Sequence, residues 1–237
     1  MKTLPLLLVL AALSASAAEP ALKDILDAHL KAIGGAEAHR KLRSSELRGR
    51  LELAALPDPA TITILSQAPD HQLVTVEAPA FGVVTEGFDG KVAWAKNPFT
   101  GLTEKTGDAL TQARRQSRFH RDIELATRFQ KLELAGREEL HGKPVHVLRG
   151  TYAEGDTEML YLDAATHLIV QVKGRIVTPE GALDSRMELG DYRTVDGIKV
   201  PFLLRLVEPA PAAFTMKITE LKHNVPADGA PFSKPAE

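Results

Sequence analysis

Cysteine is missing from the 237-residue chain, which excludes a disulfide framework and any thiolate-ligated zinc or iron–sulfur centre. Aromatic residues are scarce. Eight phenylalanines, three tyrosines and a single tryptophan are too few and too scattered for a platform on which nucleic-acid bases stack. An excess of charge of either sign is lacking as well: 29 basic and 31 acidic residues leave a formal charge of -2, which removes the usual electrostatic reason for binding nucleic acid. Long apolar runs are also wanting, since the run from Leu4 to Leu13, broken by Pro5, falls well short of the ~20 residues that cross a bilayer.

That short run has another meaning. Lys2 precedes it and the small residues Ser14, Ala15, Ser16, Ala17 and Ala18 follow it, so residues 1–18 read as a cleavable secretory signal peptide. The expected product is periplasmic, with secretion as the other destination, and keeps no transmembrane segment. The lack of cysteine rules out lipoprotein-type acylation. Residues 19–225 are expected to form one domain, and 226–237, with three prolines and only Phe232 as a large apolar residue, a surface tail.

Within the domain, Leu22, Ile25, Leu26, Leu30 and Ile33 recur at steps of three and four, which predicts an amphipathic helix ended by Gly34-Gly35. Residues 36–42 extend it with a second short helical piece. From residue 46 the period becomes two: Leu47, Leu51 and Leu53 alternate with Glu46, Arg48, Arg50 and Glu52. Comparable runs follow to residue 219, separated by turn signals such as Pro57-Asp58-Pro59, Asp89-Gly90 and Asp196-Gly197. Short spacings between them predict hairpins and an antiparallel meander. Only residues 108–119 break the pattern, as a helical insertion capped by Asp108.

Ten or eleven strands at ~4.8 Å spacing make a sheet about 50 Å across with one apolar face. Two helices about 10–12 Å wide shield less than half of it. Such a sheet must curl, because a soluble chain rarely exposes so large an apolar surface. The expected fold class is therefore α+β: a strongly curved antiparallel β-sheet, a half-barrel of about ten strands, with a helical lid on its concave face and an apolar lumen. The competing expectation is a lumen filled by its own side chains.

Catalytic signatures are absent: there is no G-x-S-x-G, no H-E-x-x-H, no phosphate-cradling glycine loop and no dinucleotide fingerprint. His141 and His146, across a Gly-Lys-Pro turn, are read as surface histidines rather than metal ligands. The chain is read as a non-enzyme without metal or cofactor. Arg114, Arg115, Arg118 and Arg121 form a basic run on the insertion, open to two readings: contact with an anionic headgroup or acidic partner, or a solvated helix face.

The stretch Asp89-Gly90-Lys91-Val92-Ala93-Trp94-Ala95-Lys96-Asn97-Pro98-Phe99 resembles the D-G-K-x-x-W-x-x-N-P segment of the LolA-like periplasmic carriers of outer-membrane lipoproteins. Gly34-Gly35 and the stretch from Asp191 to Pro201 are similar to the wider set of outer-membrane lipoprotein-sorting proteins. The resemblance implies a curved sheet that holds acyl chains under helices, and carries Trp94, Pro98 and Phe99 over as lumen or rim positions.

Together these readings predict a carrier or sensor that takes lipoprotein acyl chains, lipid or another hydrophobic ligand, with an inner- or outer-membrane protein as a further partner. The expected lumen residues are Leu51, Leu53, Trp94, Phe99, Val170, Val172, Met187, Phe202, Leu204, Met216 and Ile218. Phe119 is assigned to the lid, and Arg115 and Arg118 to a headgroup or partner. The alternative is an envelope protein–protein interaction module with a packed core and no ligand.

Overall fold

A computed structural model describes residues 20–178, 181–227, 229 and 231–236. The signal segment lies outside them. The chain opens with helices α1 (Leu22–Ala32) and α2 (Gly35–Arg40). Six strands follow: β1 (Ser44–Leu53), β2 (Ala60–Gln67), β3 (His71–Ala78), β4 (Gly82–Asp89), β5 (Ala93–Asn97) and β6 (Gly101–Lys105). Helices α3 (Gly107–Ser117) and α4 (Leu125–Arg128) interrupt the strands. The remaining strands are β7 (Lys131–Leu140), β8 (Lys143–Thr151), β9 (Thr157–Asp163), β10 (Ile169–Thr178), β11 (Gly181–Val195), β12 (Ile198–Glu208) and β13 (Phe214–His223).

All thirteen strands belong to one antiparallel sheet, in the order β6-β5-β4-β3-β2-β1-β13-β12-β11-β10-β9-β8-β7. It holds more strands than the expected ten. The sheet consists of two meanders joined where the first strand pairs with the last, Leu51 opposite Met216 and Leu53 opposite Phe214. As a result β6 and β7 are the two outer edges, and the helical insertion that joins them has to cross the sheet. Helix α3 packs against β4, β5 and β10 at once. In a flat sheet β4 and β10 would stand roughly 34 Å apart at ~4.8 Å per strand, about three helix diameters, so the sheet must bend to bring both to α3.

The helices cover this bent sheet unevenly. Ile25 and His29 of α1 and its C-cap residue Ile33 form a buried spine, each four residues from the next. Ile25, with Leu125 of α4 and Phe129, packs onto Leu148, Leu160 and Leu162 of β8 and β9. This half of the inner face is solid core. Across β12, β13, β1, β2 and β3 the same face carries a second cluster: Leu51, Ala60, Ile62, Ala78 and Met216, with Leu47, Leu53, Ile64, Val74, Val76, Leu204 and Phe214 against them. Many of these side chains are only half-buried.

The α1–α2 turn is locked to the sheet. Gly34 has φ +107°, and a Cβ there would stand 2.3 Å from the carbonyl oxygen of Gly197 in the β11–β12 turn. Beside it the Lys199 N–H donates to the Ile33 carbonyl at 2.9 Å. Glycine fits because both the backbone angle and the close approach exclude a side chain.

Candidate functional site

Strand pairing decides which residues share the inner face. The register sets Leu204 opposite Met216 and Met216 opposite Leu51. Further along, Met187 lies opposite both Val172 and Leu206. Ile218 is 5% exposed and lies opposite Gly49, two residues from Met216 on the same side. Leu51, Leu53, Val172, Met187, Leu204, Met216 and Ile218 thus lie on one continuous apolar surface. Val172 abuts the solid half under α1, whereas the Leu51–Met216–Leu204 row belongs to the less covered half. Phe202 is buried, with the Arg193 guanidinium 4.5 Å above its ring.

Three expected lumen residues lie elsewhere. Trp94 pairs with Gly87, which pairs with Leu73, so it faces away from the Val74 and Val76 side chains. The indole lies over Gly87, where a Cβ would come within 2.3 Å of it, and its Nε1–H donates to the Phe232 carbonyl at 2.8 Å. Alternation correctly gave Trp94 a dry side, but the cover on that side is the C-terminal segment. Val170 packs with Val145, Val147 and Tyr161 on the outer face, because an irregularity in the β9–β10 pairing between Ile169 and Gln171 displaces it from the inner register. Phe99 sits at the β5–β6 turn, 77% exposed, with its N–H donating to the Asn97 side chain.

The arginines expected to meet a headgroup are engaged within the chain. Arg115 binds Glu154 and Asp156, each at 2.9 Å, and lies 3.9 Å over the Tyr152 ring. Arg118 pairs with Glu124 at 2.5 Å. These contacts tie α3 to the β8–β9 turn and to the start of α4. Gln112 adds another tie by accepting from the Val177 N–H at 2.7 Å. Phe119 is half-buried, and its N–H donates to the Pro69 carbonyl at 3.0 Å in the β2–β3 turn. The strap is held by polar contacts at its ends, and its half-buried apolar residues Ala109, Leu110 and Ala113 are mostly small.

Two hollows, of about 200 and 430 Å³, both lie against the outer face rather than the inner one. Leu140, Val145 and Val170 line the smaller. Among the described residues no group of three or more His, Asp or Glu is placed to hold a metal. His141 is exposed, but His146 is buried in β8, contrary to the expected surface position, because the tight packing of β8 covers both of its faces.

The pattern of expected site residues omitted Phe232 and a set of buried histidines. Phe232 is 5% exposed and meets the His71 ring edge-on at 5.4 Å. The tail therefore pins itself to β3 and β5, and the signal for it was a lone large aromatic among prolines. Replacing Phe232 with alanine should cost about 1.5–3 kcal/mol and shift Trp94 emission to the red. Unchanged emission would show that the indole keeps its cover without that ring.

Around α1, α2 and the α3–α4 loop, histidines form a chain of contacts. His29 Nδ1–H donates to the His167 carbonyl at 2.8 Å, His39 Nε2–H to Ile33 and His120 Nε2–H to His39, both at 3.1 Å. Burial holds the pKa of both His29 and His39 below the ordinary imidazole value, and the His29 Nε2 is buried without a partner. The unfolded chain therefore binds more protons than the folded one. Stability should be level above pH 6.5, the ordinary histidine value, and fall as pH drops below it toward the depressed folded values. Urea midpoints measured from pH 8 to pH 5 should show this fall, and His29→Asn should flatten it; equal slopes in both proteins would remove His29 as a cause.

No protein-family model matches the chain, nor does any curated protein. Solved structures do. A DUF1329 family protein from Desulfovibrio piger aligns with TM-score 0.61 at 13% identity, covering 89% of this chain and 96% of that one. A LolA superfamily protein from Nitrosomonas europaea aligns with TM-score 0.59 at 13% identity, covering 88% and 96%. An outer membrane lipoprotein-sorting protein domain from Vibrio parahaemolyticus aligns with TM-score 0.56 at 10% identity, covering 89% and 95%. Alignment over nearly the full length of each partner, with the bent antiparallel sheet and its crossing helices, establishes that the chain has a LolA-like fold.

Proposed function

We propose that the protein is a non-enzymatic carrier or sensor of the bacterial envelope, exported to the periplasm, that takes acyl chains of a lipid or lipoprotein on its inner sheet face. The observation that carries this reading is the apolar row Leu51–Met216–Leu204, in which Leu51 and Met216 are buried while Leu204 and the neighbouring Leu53, Val74 and Val76 are only half-buried. Each methylene laid there contributes ~0.8 kcal/mol, so a chain of about 14–16 carbons gains enough to outweigh the cost of ordering it. Helix α3, tied down by Arg115 and Gln112, would be the lid. Likeness to a lipoprotein-sorting domain and a LolA superfamily protein supports the class of ligand.

Protein purified without detergent and extracted with organic solvent should release a stoichiometric acyl lipid, and native mass spectrometry should show the matching adduct. A bare mass that takes up no added fatty acid or phospholipid would overturn the reading.

A further inference from the structure

The pairing registers of β1 to β6 sort the residues of the first meander onto the two faces of the sheet. Leu47 lies opposite Ile64, Ile64 opposite Val74, Val74 opposite Glu86, Glu86 opposite Ala95 and Ala95 opposite Thr103. Two residues further along these strands, Phe88 lies opposite Ala93 and Ala93 opposite Lys105. Side chains alternate between the faces, so the inner face of these six strands carries two charged side chains, Glu86 and Lys105. By contrast β1 alone places four on the outer face, Glu46, Arg48, Arg50 and Glu52.

These two inner charges are paired. Lys105 Nζ donates to Glu86 Oε2 at 2.6 Å, across β5, whose inner positions Ala93 and Ala95 are small enough for the pair to span it. An inward charge on an edge strand guards that edge, which accounts for Lys105 on β6. It does not account for Glu86 on β4, two strands in from the edge. Glu86 stands next to Val74 of the apolar cluster, yet its side chain is 48% exposed and that of Lys105 24%, so water reaches both. Lys105 lies two residues before α3, which packs on β4 and β5. The pair thus marks the place where the apolar face ends, beside the foot of that helix.

We infer that Glu86 and Lys105 form the polar end of the acyl-binding face and take a phospholipid head that carries a phosphate and a primary ammonium. The inference rests on the carrier reading and adds to it the class of head. With the acyl chains along Val74, Ile64 and Leu47, the head exchanges one ion pair for two, its ammonium on the Glu86 carboxylate and its phosphate on Lys105. A purely anionic head matches Lys105 alone and sets a charge of the same sign beside Glu86. A quaternary ammonium has no N–H to donate to Glu86 and needs aromatic faces instead. Phe88, the neighbouring inner residue of β4, offers none, being 2% exposed.

The test offers the purified protein an excess of phosphatidylethanolamine, phosphatidylcholine and phosphatidylglycerol in equal amounts. All three carry the same deuterated acyl chains, so native mass spectrometry separates added lipid from any carried through purification. The wild type should take up phosphatidylethanolamine about tenfold in preference to either of the others. Glu86→Gln removes an ion pair too exposed to matter for folding. It should take up as much lipid in total and bring phosphatidylglycerol level with phosphatidylethanolamine, whereas Lys105→Gln should deepen the rejection of phosphatidylglycerol. Equal uptake of all three lipids by the wild type, or the same preference in wild type and Glu86→Gln, would overturn the head site and leave the acyl-binding face standing. A wild type that takes up none of the three removes the acyl-binding face and the head site with it.

Discussion

Replacing Leu204 with glutamate is expected to strip co-purifying acyl lipid from protein that still folds. Leu204 lies opposite Met216 in the middle of the apolar row and is only half-buried, so a carboxylate there stays solvated while the face is empty. An acyl chain laid across it would have to remove that water. Desolvating an unpaired carboxylate costs several kcal/mol, which corresponds to at least about a hundredfold loss of affinity. The loss in stability should stay within ~1–2 kcal/mol. Arg205→Glu, one residue along and pointing to the other face, makes a larger change of charge, two units against one, and should still leave lipid content unchanged. Retention of lipid by folded Leu204→Glu would place the ligand elsewhere.

Gly34→Ala should be the most damaging single-methyl change for stability. A side chain at φ +107° costs roughly 1–2 kcal/mol, and relieving the 2.3 Å approach to the Gly197 carbonyl costs about 1–3 more. The neighbouring bond from Lys199 to Ile33 is strained by the same retreat. At 2–4 °C per kcal/mol for a domain of this size, the melting temperature should drop by about 10 °C. A melting temperature within ~2 °C of wild type would mean that the α1–α2 turn is not seated against the β11–β12 turn.

These two residues lie at opposite extremes of what could be read in advance. Gly34 was legible as a helix terminator from the period of Leu22, Ile25 and Ile33 and the glycine pair after them. Its second constraint, the carbonyl of Gly197, is 163 positions away in the chain and leaves no local trace. Leu204 was legible as one apolar residue of an alternating strand. Its partners Met216 and Leu51 became known only through the pairing of β12 with β13 and of β13 with β1.

Errors in the candidate site arose where alternation was followed without knowing what covered each face. Trp94 and Val170 both belong to strands with one apolar side, yet both lie on the outer face: Trp94 because its pairing with Gly87 turns it away from Val74 and Val76, with Phe232 closing over it there, Val170 because the strand pairing is irregular beside it. The missed edge strand β6 is short, and Gly101-Leu102-Thr103-Glu104-Lys105 offers no apolar alternation to mark it. Arg115 and Arg118 looked like a free basic face because Glu154, Asp156 and Glu124 reach them only through the fold.

By itself the sequence determined most elements and their chemistry: which segments are helix or strand, apart from β6 and α4, that neighbouring strands pair as hairpins, and that one face of the sheet is apolar. These depend on period and turn residues, which act over a few positions. The tertiary structure decided the closure of the two meanders through β1 and β13, the crossing of the helical insertion between the two edges, and the division of the inner face into a filled half and a less covered half. Those depend on contacts between distant parts of the chain, whose energies are set by shape and coverage, and neither is written in any local stretch of residues.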